Sequence, residues 1–125
     1  MTSLHNLTSE KLAVYRATAH RRRKQEQSEL DNRRKQAWSA ARQAARLLKT
    51  EFKANRVVVF GSLVQGGFTR WSDVDVAAWG IAPTDTFRAI GAILDMDTEI
   101  EVNLVDVNTC QSSLLEVIEQ DGLDL

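Results

Sequence analysis

Val57-Val58-Val59-Phe60-Gly61-Ser62 and, after the ten residues Leu63 to Ser72, Asp73-Val74-Asp75-Val76 are the stretches on which the reading of this chain depends. The first is β-branched and uninterrupted up to Gly61, the pattern of a short buried strand. The second alternates. Residues two apart on a strand point the same way, so Asp73 and Asp75 leave one face while Val74 and Val76 enter a core. Two neighbouring carboxylates repel, and uncompensated, one of them has to bind a proton. A divalent cation removes that penalty, and Mg²⁺ favours one or two carboxylates completed by waters and substrate phosphates. Gly61-Ser62 supplies the complementary half. A strand ending in Gly-Ser before a helical turn presents backbone N–H groups and a hydroxyl to an anion, with no Cβ at the glycine to hold a phosphate off. A triphosphate bridged between that turn and metals on Asp73 and Asp75 has its α-phosphorus set for in-line attack.

Outward from these stretches the pattern is that of a small α/β domain. Gly66-Gly67 breaks the chain before the acidic strand and Gly80 closes that strand. Pro83 suits the first turn of a helix running through Leu94, where no N–H is needed. Glu99 to Val105 alternates as a third strand, with Ile100, Val102 and Leu104 on one face and Glu101 and Asn103 on the other. Ser112 to Gln120 forms a last helix, ended by Gly122. The order is helix, strand, helical turn, strand, helix, strand, helix around a small sheet.

The N-terminal region differs in kind. Thr8 to Ala54 lacks Gly and Pro and is rich in strong helix formers, with Thr8 or Ser9 as a cap. Its second half carries an apolar stripe: Ala37, Trp38, Ala41, Ala44, Ala45, Leu48 and Phe52. Leu4, Leu7, Leu12, Val14 and Tyr15 suit a separate short helix ahead of it, so the region is read as one long or broken helix. Residues 1–56 hold 14 of the 16 Lys and Arg and 5 of the 17 Asp and Glu, a net charge of +9, whereas residues 57–125 carry −10. The division expected is a helical, basic extension over 1–55 and the catalytic unit over 56–125. Such polarity points to a partner, self-association or nucleic acid. The run Arg21-Arg22-Arg23-Lys24 is read as a solvated helix face in preference to a nucleic-acid contact. A single cysteine, Cys110, forms no internal disulfide and fits a reducing cytoplasm. With two histidines and one cysteine, any metal is held by oxygen. No signal peptide and no membrane span is expected.

Gly61-Ser62, the gap of ten and Ser72-Asp73-Val74-Asp75-Val76 together resemble the signature of the DNA polymerase β-like nucleotidyltransferase superfamily, and the short body from Val57 to Leu125 is similar to its minimal members, the MNT domains. The resemblance implies a small mixed sheet with flanking helices, Mg²⁺ (two ions) as cofactor and ATP as substrate. It also implies an antitoxin that transfers AMP to a tyrosine hydroxyl of a HEPN ribonuclease toxin, with an oligomeric complex as the expected state. Carried over by position, Gly61 and Ser62 hold the triphosphate, and Asp73 and Asp75 hold the metal. Two positions depart from the family pattern. Asn103 stands where a third carboxylate is usual, in Val102-Asn103-Leu104-Val105-Asp106, and Gln65 replaces a frequent arginine. An amide oxygen binds metal but takes no proton from an attacking hydroxyl. Glu101, on the same face with a longer reach, is the substitute candidate for catalysis and metal binding, with Asn103 a further possible ligand. The alternative is an impaired module that neutralises its partner by binding alone. Trp71 and Trp79 flank the acidic strand as candidates for the base pocket, with simple packing as the other reading.

Overall fold

The computed structural model of the protein describes residues 8–125. Leu4 and Leu7 of the separate short helix lie outside these residues, and its remaining members, Leu12, Val14 and Tyr15, belong to a helix α1 that runs unbroken over Ser9–Glu51. Thr8 caps that helix, its Oγ1 accepting from the Lys11 N–H at 3.2 Å. The chain divides into two compact units, one ending at Asn32 and one spanning Arg33–Leu125. In the first, no described side chain is buried. With polar residues nearly all round, its helicity rests on local propensity and side-chain pairs such as Gln27–Asp31 rather than on packing.

The second unit contains the sheet. Its elements after α1 are β1 (Arg56–Phe60), α2 (Ser62–Gln65), β2 (Val74–Trp79), a 3₁₀ turn at Pro83–Asp85, α3 (Thr86–Leu94), β3 (Val102–Asp106), a second 3₁₀ turn at Val107–Thr109, α4 (Ser112–Asp121) and β4 (Leu123–Asp124). The strand order is β3-β2-β1-β4. β1 is antiparallel to both β2 and β4, and β2 is parallel to β3. The result is a small mixed α/β sheet with flanking helices, as expected.

Both faces of β1 and β2 are covered, which is why β1 reads as a continuous apolar run. On one face Val58, Phe60 and Ala77 pack with Ile118 of α4, joined by Trp79, Val105, Val107 and Cys110. Val57, Val59, Val76 and Ala78 point the other way and are equally buried. The apolar faces remaining in the unit are the α1 stripe, now Ala37, Ala40, Ala41, Ala44, Ala45 and Leu48, and Ala89 with Ile93 of α3. Alanines on a helix let it approach close to its neighbours. Each fully buried valine of β1 contributes roughly 1.5–3 kcal/mol.

Two expectations are corrected at the edges. The third strand begins at Val102 rather than Glu99, although Ile100 is still buried ahead of it. A fourth strand, absent from the expected order, follows α4: Leu123 and Asp124 pair with Val59 and Val58. Two residues are too few to carry a period. Gly122 makes the reversal possible through space rather than conformation. Its backbone is extended, but a Cβ there would collide with Val58 Cγ1 and the Ile118 carbonyl.

Candidate active site

The carboxylates sit where the edge strand β3 runs parallel to β2. Asp75 lies within β2, opposite Asn103 on β3 and Phe60 on β1. Asp73 stands just ahead of β2, so the sheet ladder does not hold it directly. The following residue is tied down: the Val74 N–H donates to the Glu101 carbonyl at 3.0 Å. The preceding residues form a tight turn in which the Thr69 N–H donates to Ser72 Oγ (2.9 Å) and the Ser72 N–H to the Thr69 carbonyl (3.1 Å). Both aspartates are half-buried. They are close enough for the charge of Asp73 to act on Asp75.

Asp75 is the electrostatic centre of this face. Burial pushes its carboxyl above the usual carboxylate range, a hydrogen bond from Asn103 pulls it back in part, and the nearby charge of Asp73 adds to the upward push. The Asn103 bond is long, Nδ2 to Oδ1 at 3.4 Å. No salt bridge to Asp73 or Asp75 is formed among the described residues. A half-buried carboxylate with a carboxylate neighbour and no cationic partner favours the binding of a cation.

Gly61 completes the floor. Its φ of 82° lies in the region that favours glycine, and a Cβ there would stand 3.0 Å from Asp75 Oδ2. The turn and the acidic strand therefore meet in space: β1 ends at Phe60, opposite Asp75, and the next residue passes against the carboxylate itself. Ser62 opens the single-turn helix α2 and is half-buried, while Gln65 at its end is exposed. The first N–H groups of such a turn have no partner within the helix.

Other candidates fall on either side of this cluster. Glu101 is exposed and precedes β3, its carbonyl accepting from the Val74 N–H, but among the described residues no three His, Cys, Asp or Glu side chains converge as a metal site. Trp71 is 79% exposed beside the site, its ring 4.8 Å from the Arg70 guanidinium. Trp79, at the far end of β2, packs on the core under Arg56 and is a structural residue. Two polar residues escape a reading of the sequence. Asp106 is 2% exposed and accepts from Thr86 Oγ1 (2.6 Å) and the Asn108 N–H (3.0 Å), so it pins α3 and the following turn to β3. Arg33 lies four residues before Ala37, on the apolar stripe of α1 extended by one turn, and reaches the Ser72 carbonyl. Its place on that stripe was the only available signal.

The donor set is two carboxylates, an amide and a hydroxyl beside a glycine cradle. This all-oxygen set fits Mg²⁺ and a phosphate and does not suit zinc. Among curated proteins none matches the chain significantly. Two crystal structures of the toxin–antitoxin MntA-HpeT are similar in fold. One, a tyrosine-to-alanine mutant, has a TM-score of 0.53 and 23% identity over 67% of this chain and 69% of that chain. The other, with two aspartates replaced by glutamates, has a TM-score of 0.54 and 20% identity over 67% and 70%. The profile of the nucleotidyltransferase domain matches residues 41–119, most of the sheet-bearing unit, and the chain belongs to the nucleotidyltransferase domain family.

Proposed function

We propose that this protein is an antitoxin that transfers AMP from Mg·ATP to a hydroxyl, a tyrosine's, on a HEPN-type ribonuclease toxin. The observation that carries the reading is the contact between the glycine turn and the acidic strand, with a Gly61 Cβ position only 3.0 Å from Asp75 Oδ2. Gly61 and Ser62 would hold the phosphates, and Asp73 and Asp75 beside them would hold the metal. The fold likeness to toxin–antitoxin structures supports the partner class, and in one of them the mutated aspartates are two positions apart, the spacing of Asp73 and Asp75.

In this reading Asp73 and Asp75 hold Mg²⁺, with Asn103 as a neutral ligand, and Ser62 with the α2 backbone orients the triphosphate. Mg²⁺, when bound, neutralises the charge that develops on the entering oxygen and the departing pyrophosphate. The toxin hydroxyl oxygen bonds to the α-phosphorus as the bond to the β-phosphate breaks. Pyrophosphate leaves, and the hydroxyl proton passes to a carboxylate, for which Glu101 is assigned. The catalytic unit is assigned to residues 56–125, and the partner binds the basic extension over 1–55 or the apolar helix faces. The complex is oligomeric and cytoplasmic; among the described residues no helix is long and apolar enough to cross a membrane.

The test is the intact mass of the co-encoded partner after incubation with this protein and Mg·ATP. One or more added AMP units are expected, with a rate reduced roughly 10³-fold by Asp73→Ala or Asp75→Ala, since metal stabilisation is worth several kcal/mol. A second reading rests on Asn103, an amide where a carboxylate is usual, already bonded to Asp75. There the protein neutralises by binding alone. An unchanged mass with a tight complex would establish that alternative and remove the transferase.

A further inference from the structure

Arg33 has no place in the chemistry described so far, and its surroundings call for one. The residues of α1 that face inward recur as Ala37, Ala40, Ala41, Ala44, Ala45 and Leu48, all small or apolar and all buried. Arg33 occupies the next position of that row, four residues before Ala37. There a guanidinium is carried inward. Its Nη2 donates to the Ser72 carbonyl at 3.0 Å, and its Nε is buried with no hydrogen-bond partner. An unpaired buried N–H opposes folding, so the arginine is not explained by stability alone. Arg33 also lies outside the residues matched by the family profile.

The carbonyl it holds is a particular one. Ser72 C=O belongs to the peptide that leads into Asp73, and Asp73 precedes the β2 ladder. On the C-terminal side the chain is fixed by the Val74 N–H to the Glu101 carbonyl; on the N-terminal side the bond from Arg33 fixes the peptide plane. With both flanking peptides held, the Cα–Cβ direction of Asp73 is set even though the residue is outside the sheet.

We infer that Arg33 is a positioning residue for Asp73: it clamps the Ser72–Asp73 peptide so that the Asp73 carboxylate stands beside that of Asp75 ready to bind a divalent cation. The inference rests on the metal-binding role proposed above for Asp73 and Asp75. It makes a prediction opposite in sign to plain electrostatics. Deleting a positive charge beside two carboxylates should, by Coulomb's law, tighten the binding of a cation. Loss of a clamp should weaken it.

The experiment measures Mn²⁺ affinity of the full chain by electron paramagnetic resonance or calorimetry, without nucleotide, beside thermal unfolding of each variant. Arg33→Met keeps the apolar length of the side chain and removes every donor; a five- to tenfold weaker affinity is expected. Arg33→Lys, which retains a donor for the Ser72 carbonyl, recovers most of that loss. Arg34→Met removes the same charge from an exposed neighbouring position and leaves affinity unchanged or slightly tighter. If Arg33→Met does not fold, Arg33→Gln is read with the same expected direction. Affinity equal to or tighter than wild type in the Arg33 variants, with Asp73→Ala still abolishing binding, would overturn the clamp and leave the metal assignment standing. Wild-type Mn²⁺ binding indifferent to Asp73→Ala would overturn the metal assignment, and the clamp with it.

Discussion

Asp75 and Asp106 are carboxylates on adjacent strands of one small sheet, and they live in opposite circumstances. Asp106, at the end of β3, is almost fully buried and its oxygens accept from the Thr86 hydroxyl and the Asn108 N–H. Asp75, the second residue of β2, is half-buried and receives a single long bond from Asn103 while Asp73 stands nearby with the same charge. One acid is used up holding the fold together. The other is kept available, at a position where burial and a like charge both disfavour its ionised form. Polar satisfaction, more than burial, separates these two carboxylates.

The comparison can be broken most severely at Asp106. Asp106→Ala strands the Thr86 hydroxyl and the Asn108 N–H and frees the start of α3, and a loss of about 2–3 kcal/mol is expected in urea unfolding. A loss under about 0.5 kcal/mol would mean that Asp106 is not the structural acid. Gly61→Ala tests the other side: the new methyl must adopt a positive φ and approaches Asp75 Oδ2, so about 1–2 kcal/mol of stability should go, together with metal binding. Metal affinity untouched in this variant would separate the glycine turn from the acidic face. The smallest effect belongs to Asp75→Asn without metal. The folded-state pKa of Asp75 is raised above its unfolded value, so its favourable contribution is complete at pH below the unfolded pKa and is lost as the pH rises through the folded one. The variant should therefore gain slightly on wild type as pH climbs from 3 to 7, and Mg²⁺ should reverse that gain. A difference independent of pH would show that burial does not oppose the charge.

Much of the acidic face was legible from residues alone. Gly61-Ser62 and Asp73-Val74-Asp75-Val76 named the two segments that meet at the candidate site, and period two predicted a common face for the carboxylates. The apolar run Val57 to Phe60 marked a strand buried on both sides, and the absence of Gly and Pro over Thr8 to Ala54 marked a long helix. The start of β3 was less legible: Glu99 to Glu101 continue the alternation, but the ladder begins only at Val102, where the parallel partner Val74 is available. Trp71 and Trp79 looked equivalent on either side of the acidic strand. Packing distinguishes them, since Trp79 rests on the core beneath Arg56 and Trp71 is left open to solvent.

What the chain determined by itself was whatever depends on near neighbours: strand and helix character, a hydroxyl cap at Thr8 or Ser9, the alternation of Asp73 and Asp75 with valines, and the separation of charge between its two ends. Period and propensity act over a few residues, so they can be read along the sequence. The tertiary structure alone decided the partners. Asn103 meets Asp75 from 28 residues away, Thr86 meets Asp106 from 20, and Arg33 meets the Ser72 carbonyl from 39. The register of β2 on β3 and the packing of helices on the sheet bring these groups together, and both are properties of the assembled core rather than of any local segment.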